Sequence, residues 1–96
     1  MTDIKNRLYR AKCRARQILI WNGYSVTFLP GDIFDLEAAD EDGMKKIKVC
    51  LDIVSKSDID QIKKASLPNF CKREIWLKKA KSTDFEIIKI KNPVNP

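Results

Sequence analysis

Histidine is absent from this chain of 96 residues, and cysteine is scarce. Without histidine the commonest general base is missing, so Ser-His and Cys-His hydrolase mechanisms are excluded in their usual forms. The three cysteines, Cys13, Cys50 and Cys71, are widely spaced and odd in number. This pattern argues against a disulfide framework and against a structural zinc site.

Long apolar runs are also missing. No stretch approaches the roughly 20 residues that span a bilayer, and Met1 to Lys5 contains no apolar signal segment. We therefore expect no membrane partner and a cytoplasmic location. Charged residues make up 33% and hydrophobic residues 44% of the chain, which is typical of a folded domain. We expect a single domain over residues 1–96, with its core at about 4–90 and a flexible tail at 91–96.

Charge is distributed unevenly along the chain. Residues 1–31 carry a net +5, residues 32–43 a net −6 and residues 44–96 a net +7. Basic flanks around a short acidic segment suit a polyanion-binding surface that surrounds a cation site. The alternative is a solvated surface with one acidic turn, because uneven charge is common in small domains.

Hydrophobic periodicity and turn residues predict the order α-β-β-β-α-β-β. Thr2 is the expected cap of the first helix, and Ser57 that of the second. The predicted elements are helices over 3–22 and 57–66 and strands over 24–29, 33–39, 44–53, 71–79 and 85–90. A strand, a helix and a further strand over 44–79 predict a parallel crossover. The expected fold class is therefore α/β, with a mixed central sheet flanked by helices.

Alternation along the second and third strands assigns side chains to faces. In the second strand Asp35 and Glu37 are expected on the face opposite Phe34, Leu36 and Ala38. The third strand is expected to separate Ile47, Val49, Leu51 and Ile53 from Lys46, Lys48, Cys50 and Asp52. An acid such as Asp35 inside a short apolar strand is costly unless it is paired, exposed or bound to a cation.

Three segments in this order resemble the PD-(D/E)XK nuclease superfamily. They are Asn22-Gly23-Tyr24-Ser25-Val26, Gly31-Asp32-Ile33-Phe34-Asp35-Leu36 and Arg73-Glu74-Ile75-Trp76-Leu77. The resemblance covers about residues 4–90 and implies the restriction-endonuclease-like fold, which archaeal Holliday junction resolvases share. It also implies a Mg²⁺ or Mn²⁺ ion held by an aspartate and by an acid on the next strand. A lysine two residues beyond that acid would orient the attacking water.

Asp35 matches the family's aspartate, but the next strand departs from the motif. Lys48 stands where the acid is expected, and Cys50 stands where the lysine is expected. The first helix offers no glutamate as a further ligand. We expect Lys48 to pair with Asp35 and to displace a metal, so that catalysis is lost. If the site is active, Glu37 shares the strand face of Asp35 and is the expected second ligand of Mg²⁺ or Mn²⁺, with Lys48 as a relocated lysine. The catalytic set would then be Asp35, Glu37 and Lys48.

Three functional hypotheses follow. In the first, a non-catalytic protein of this fold binds nucleic acid, DNA in preference to RNA, through basic residues of the first helix: Arg7, Arg10, Lys12, Arg14 and Arg16. In the second, the protein is a metal-dependent DNA endonuclease, resembling Holliday junction resolvases and acting as a homodimer. In the third, it is an interaction module whose apolar line Tyr9-Cys13-Ile20 contacts a partner protein. Trp21 and Trp76 are either core residues or platforms for unpaired bases.

Overall fold

The predicted order of elements is confirmed. The computed structural model describes the backbone of residues 2–92 and the side chains of residues 5–92. The side chain of Thr2, on which the predicted cap depends, and residues 93–96 of the predicted tail lie outside these described parts. The elements are α1 (Thr2–Trp21), β1 (Ser25–Phe28), β2 (Leu36–Asp40), β3 (Gly43–Leu51), α2 (Lys56–Lys64), β4 (Cys71–Lys78) and β5 (Phe85–Ile90).

The strands form one mixed sheet in the order β1-β2-β3-β4-β5. β3 and β4 are parallel, and the other neighbouring pairs are antiparallel. Parallel neighbours need a long connection, and α2 provides it. The predicted crossover over 44–79 is therefore confirmed.

Each face of the sheet is covered by one helix. On one face α1 inserts Ala11, Ala15 and Leu19 between strand residues; these are Leu36, Ala38, Ile47, Val49 and Trp76. On the other face Ile62 of α2 packs with Phe34, Cys50, Ile75 and Leu77. Successive side chains of a strand point to opposite faces, so β3 and β4 each contribute residues to the cores on both faces of the sheet.

The second strand begins later than the sequence suggested. β2 starts at Leu36 rather than Ile33, because Pro30 and Gly31 (φ +80°) turn the chain away from the sheet. The amide of Leu29 donates to the carbonyl of Asp35 at 2.9 Å and closes this loop. Phe34 consequently packs in the core beneath α2, whereas the prediction placed it on the same face as Leu36.

The third strand ends earlier than expected. Asp52 adopts φ +65°, a left-handed conformation that takes the chain out of the sheet after Leu51. Ile53 is therefore 75% exposed instead of lying on the core face. Asp52 turns towards α1, where its Oδ2 lies 3.2 Å from Nη2 of Arg7. The expected grouping of Asp52 with Lys48 on one strand face was wrong.

The second helix is capped by Ser55, two residues before the predicted cap at Ser57. Oγ of Ser55 accepts from the amide of Asp58 at 3.0 Å, and the Asp58 carboxylate accepts from the amide of Ser55 at 3.2 Å. This reciprocal capping box satisfies two amides that the first turn would otherwise leave unpaired. A serine at either position fits the sequence pattern, so the backbone path after Asp52 decides between them.

The C-terminal segment is held in place as far as Asn92. Its Oδ1 accepts from Nε of Arg73 at 2.9 Å, and its Nδ2 donates to the carbonyl of Asn69 at 3.0 Å. Asn92 therefore links the chain after β5 to β4 and to the segment before β4, and the flexible tail over 91–96 stays a prediction. The sequence pattern did not indicate these bonds, because their partners are 19 and 23 residues away.

Candidate nucleic-acid interface

Asp35 lies just before β2, against the edge of β3 that β2 leaves uncovered. The amide of Asp35 donates to the carbonyl of Ile47 at 2.8 Å. Its Oδ2 accepts from the amide of Val49 at 2.7 Å. The Asp35 carboxylate thus replaces the backbone carbonyl that a longer β2 would offer to β3. It satisfies the Val49 amide, which would otherwise have no acceptor.

The second oxygen of Asp35 is taken by a cation from α1. Nζ of Lys12 lies 3.1 Å from Oδ1, and the two side chains are 27% and 14% exposed, respectively. The partner of Asp35 among the described residues is therefore Lys12. The expected pairing of Asp35 with Lys48 was wrong. The sequence pointed to Lys48 because strand register suggested it, whereas α1 approaches from outside the sheet.

The other residues proposed around the cation have different surroundings. Leu36 faces α1, so Glu37, the next residue of the strand, points to the opposite face of the sheet. There it lies opposite Lys46 in the register of β2 and β3. Lys46 is also near Asp32, with 3.9 Å between Nζ and Oδ2. Lys48 lies on β3 opposite Ile75 of β4. The contacts of Asp35, in contrast, go to α1 and to the backbone of β3.

Cys50 packs in the core beneath α2 and is 7% exposed. Burial and, to a smaller extent, the nearby Asp58 carboxylate raise the pKa of its thiol to about 11. Sγ lies 4.0 Å from Oδ2 of Asp58, the partner of Ser55 in the capping box of α2. The thiol is therefore neutral at physiological pH and supplies neither the positive charge of a lysine nor a ready nucleophile.

The donor set around Asp35 does not fit a divalent cation. Both carboxylate oxygens already accept from the protein, one of them from an ammonium. Over the described part of the chain, no group of three or more acidic, cysteine or histidine side chains is placed to hold a metal. Hard divalent cations need several oxygen ligands, and Asp35 alone does not supply them.

A cationic groove runs along the flank of α1 that faces the ends of β3 and β4. We define the cationic groove by Arg7, Arg10, Arg14 and Lys78. The three arginines recur at i, i+3 and i+7, so they lie on one side of the helix. Ala11, Leu51 and Ala80 complete the lining of this groove, whose volume is about 250 Å³. Lys78 was not among the predicted binding residues, because only the parallel pairing of β4 with β3 brings it beside α1.

The five basic residues predicted on the first helix therefore separate into groups. Arg7, Arg10 and Arg14 line the cationic groove. Lys12 is engaged by Asp35. The guanidinium of Arg16 lies 6.0 Å from the ring centroid of Phe28 on β1, on another side of the helix. A single continuous patch of all five residues is not formed.

The tryptophans have opposite environments. Trp76 is 3% exposed and its Nε1 donates to Oε1 of Glu74 at 3.0 Å. Trp21, at the end of α1, is 65% exposed, and the guanidinium of Arg14 lies 5.5 Å from its ring centroid. Tyr9 is similarly exposed, at 64%, on the outer side of the helix.

Two buried ionic side chains were missed by the sequence reading. Arg73 donates from Nη1 to the carbonyl of Ile62 at the end of α2, and Glu74 lies 3.3 Å from Nζ of Lys45. Both are 3% exposed. Ile62 and Lys45 lie on other elements, so the sequence pattern did not indicate these contacts. Their polar atoms are occupied within the protein, which assigns them to the scaffold.

Comparison with known proteins finds a likeness in structure but none in sequence. No family model matches the chain, and no curated protein matches it. A solved structure that resembles it is Hjc, a Holliday junction resolvase from the archaeal hyperthermophile Archaeoglobus fulgidus. The TM-score is 0.70 at 13% sequence identity, over 86% of this chain and 72% of that chain.

This chain has the restriction-endonuclease-like fold. The expected fold class is thereby confirmed. The described chain contains no helix that is both long and apolar enough for a membrane crossing. At 13% identity the likeness establishes the fold alone, since one fold can host different activities. Function has to be inferred from the Asp35 contacts and the cationic groove.

Proposed function

We propose that this protein is a non-catalytic member of the restriction-endonuclease-like fold that binds nucleic acid through the cationic groove. One observation carries the proposal: the ammonium of Lys12 lies 3.1 Å from the Asp35 carboxylate, where the family resemblance implies a metal ion. The protein supplies its own cation, so the carboxylate is neutralised without a metal. Asp35 then serves the scaffold by joining α1, β2 and β3.

The cationic groove supports the binding half of the proposal. Arginine offers a planar fork of donors that matches the oxygens of a phosphate. Arg10, Arg14 and Lys78 face the same groove, and the chain as a whole carries a net charge of +6. Arg7 forms an ion pair with Asp52, but the two side chains are 42% and 49% exposed. An exposed pair of this kind is weak and can open to a phosphate.

DNA is the favoured ligand, in part because the structural relative is named as a Holliday junction resolvase. Binding of a labelled DNA should depend strongly on salt. With about three phosphate contacts, affinity should fall by about 40-fold between ~50 and ~200 mM salt, because bound cations release counterions from DNA. Fluorescence anisotropy at several salt concentrations measures this slope. An affinity that stays constant over this range would refute the proposed phosphate contacts.

Cleavage should be absent for single-stranded, duplex and four-way-junction DNA, with millimolar Mg²⁺ or Mn²⁺ present. The physical reason is that Lys12 occupies the carboxylate that would hold the metal. Gel analysis after prolonged incubation checks this expectation. Metal-dependent cleavage by the purified protein that is abolished in Asp35→Asn would establish an endonuclease and overturn the non-catalytic half of the proposal. Cleavage that persists in this variant would point to a contaminating nuclease.

A further inference from the structure

The exposed indole of Trp21 lies on the same flank of α1 as the cationic groove. Arg7, Arg14 and Trp21 are spaced by seven residues, so each follows the last after nearly two helical turns. The line from Arg7 to Trp21 is about 21 Å long at about 1.5 Å per residue. It therefore presents guanidinium groups along most of its length and an aromatic ring at its end.

Arg14 connects the charged and the aromatic parts of this line. Its guanidinium lies 5.5 Å from the centroid of the Trp21 ring and also lines the cationic groove. The indole is nevertheless 65% exposed, so ring surface remains open to a ligand. An exposed ring beside cationic side chains offers a face on which an unpaired base can stack.

We propose that the preferred ligand is single-stranded nucleic acid, with its phosphates in the cationic groove and an unpaired base stacked on Trp21. This inference rests on the proposed function and specifies its ligand. Phosphate-binding arginines beside an exposed aromatic ring are the combination by which proteins hold single strands without reading their sequence. A duplex offers the same phosphates, but its bases are already stacked and paired.

The acidic turn between β2 and β3 limits the site at one end. Asp40, Glu41 and Asp42 border a shallow depression together with Gly23 and Ser25, just beyond the end of α1. Their carboxylates repel phosphates, so the backbone of a bound strand is disfavoured beyond Trp21. The strand is instead expected to run from Trp21 towards Lys78.

Intrinsic fluorescence tests this inference, because Trp21 is exposed and Trp76 is buried. The full chain is titrated at low salt with oligothymidylate of about ten nucleotides, and separately with a duplex of equal length. The single strand should quench the emission of Trp21 and bind more tightly than the duplex. Trp21→Ala should weaken single-strand binding by about 5- to 150-fold, the usual range for loss of one base–aromatic stack, and leave duplex binding unchanged.

Two control variants keep the result interpretable. Trp21→Phe retains a ring, so it should bind the single strand within a few-fold of the parent chain while the quenching disappears. Tyr9→Ala removes an equally exposed aromatic side chain from the outer side of α1 and should change neither affinity. Weakening by Tyr9→Ala equal to that by Trp21→Ala would overturn the assignment to Trp21.

The remaining outcomes separate this inference from the proposed function. Equal binding of single strand and duplex, without quenching and without an effect of Trp21→Ala, would refute the stacking site while nucleic-acid binding stands. Absence of binding to either ligand at low salt would refute both. If Trp21→Ala fails to fold, the quenching of the parent chain and its loss in Trp21→Phe decide the question.

Discussion

Replacing Asp35 by alanine is expected to lower the free energy of unfolding by about 2–4 kcal/mol. The variant leaves the Val49 amide without its acceptor and Lys12 without its counter-ion, and both lie in a partly buried setting. For a domain of this size, each kcal/mol lost lowers Tm by about 4–8 °C. Urea denaturation followed by circular dichroism measures the difference, and Asp35→Ala should be less stable at every urea concentration in the transition.

Substitution of Asp52, which pairs with α1 at an exposed position, provides the control. Asp52 also pairs with a cation of α1, but this pair is largely exposed. Asparagine tolerates the left-handed backbone at this position, so Asp52→Asn should cost less than about 1 kcal/mol. Adding Lys12→Met to Asp35→Ala should restore part of the lost stability, because the unpaired ammonium is then absent. Equal effects of Asp35→Ala and Asp52→Asn would contradict a structural role for Asp35.

The second large effect is expected from charge reversal in the cationic groove. Arg10→Glu combined with Arg14→Glu should reduce DNA affinity by about 100-fold or more at low salt, because attractive phosphate contacts are replaced by repulsion. The slope of log affinity against log salt should become shallower by about 2, one unit for each lost contact. Anisotropy titrations of the same labelled DNA over several salt concentrations give both quantities.

Lys56→Glu combined with Lys64→Glu makes the same change in net charge on α2. Both lysines are exposed and lie outside the cationic groove. A glutamate at the start of a helix is favourable and one at its end is unfavourable, so the effects on helix stability largely offset each other. This pair should leave the salt slope nearly intact. Equal loss of affinity in both double variants would show that net charge alone governs binding, and would remove the groove from the proposal.

The fold was predictable from the chain because its signals are local. The apolar stripe of the first helix, the turn at Pro30 and Gly31 and the break before Cys71 fixed the order of elements. Boundaries were less certain where two similar residues competed, as Ser55 and Ser57 did for the helix cap. The start of the second strand was missed because a run of apolar residues reads as a strand even when a preceding turn bends it out of the sheet.

The candidate site was harder to predict, because its contacts join residues that are distant in sequence. Asp35 was recognised as an acid in need of a partner, yet Lys12 stands 23 positions before it and was read only as part of a basic helix. Lys78 was similarly hidden until β4 was placed beside β3. Trp21 and Trp76 could not be told apart from composition, although one is buried and the other exposed.

By itself, the sequence determined the α/β order, the basic character of the first helix and the absence of histidine chemistry. It also marked Asp35 as an acid that needs a partner. The tertiary structure alone decided that Lys12 neutralises Asp35, that the arginines of α1 meet Lys78, and that Trp21 faces solvent. The physical reason is that periodicity and turn chemistry act between near neighbours, whereas ion pairs and grooves depend on how helices pack against the sheet.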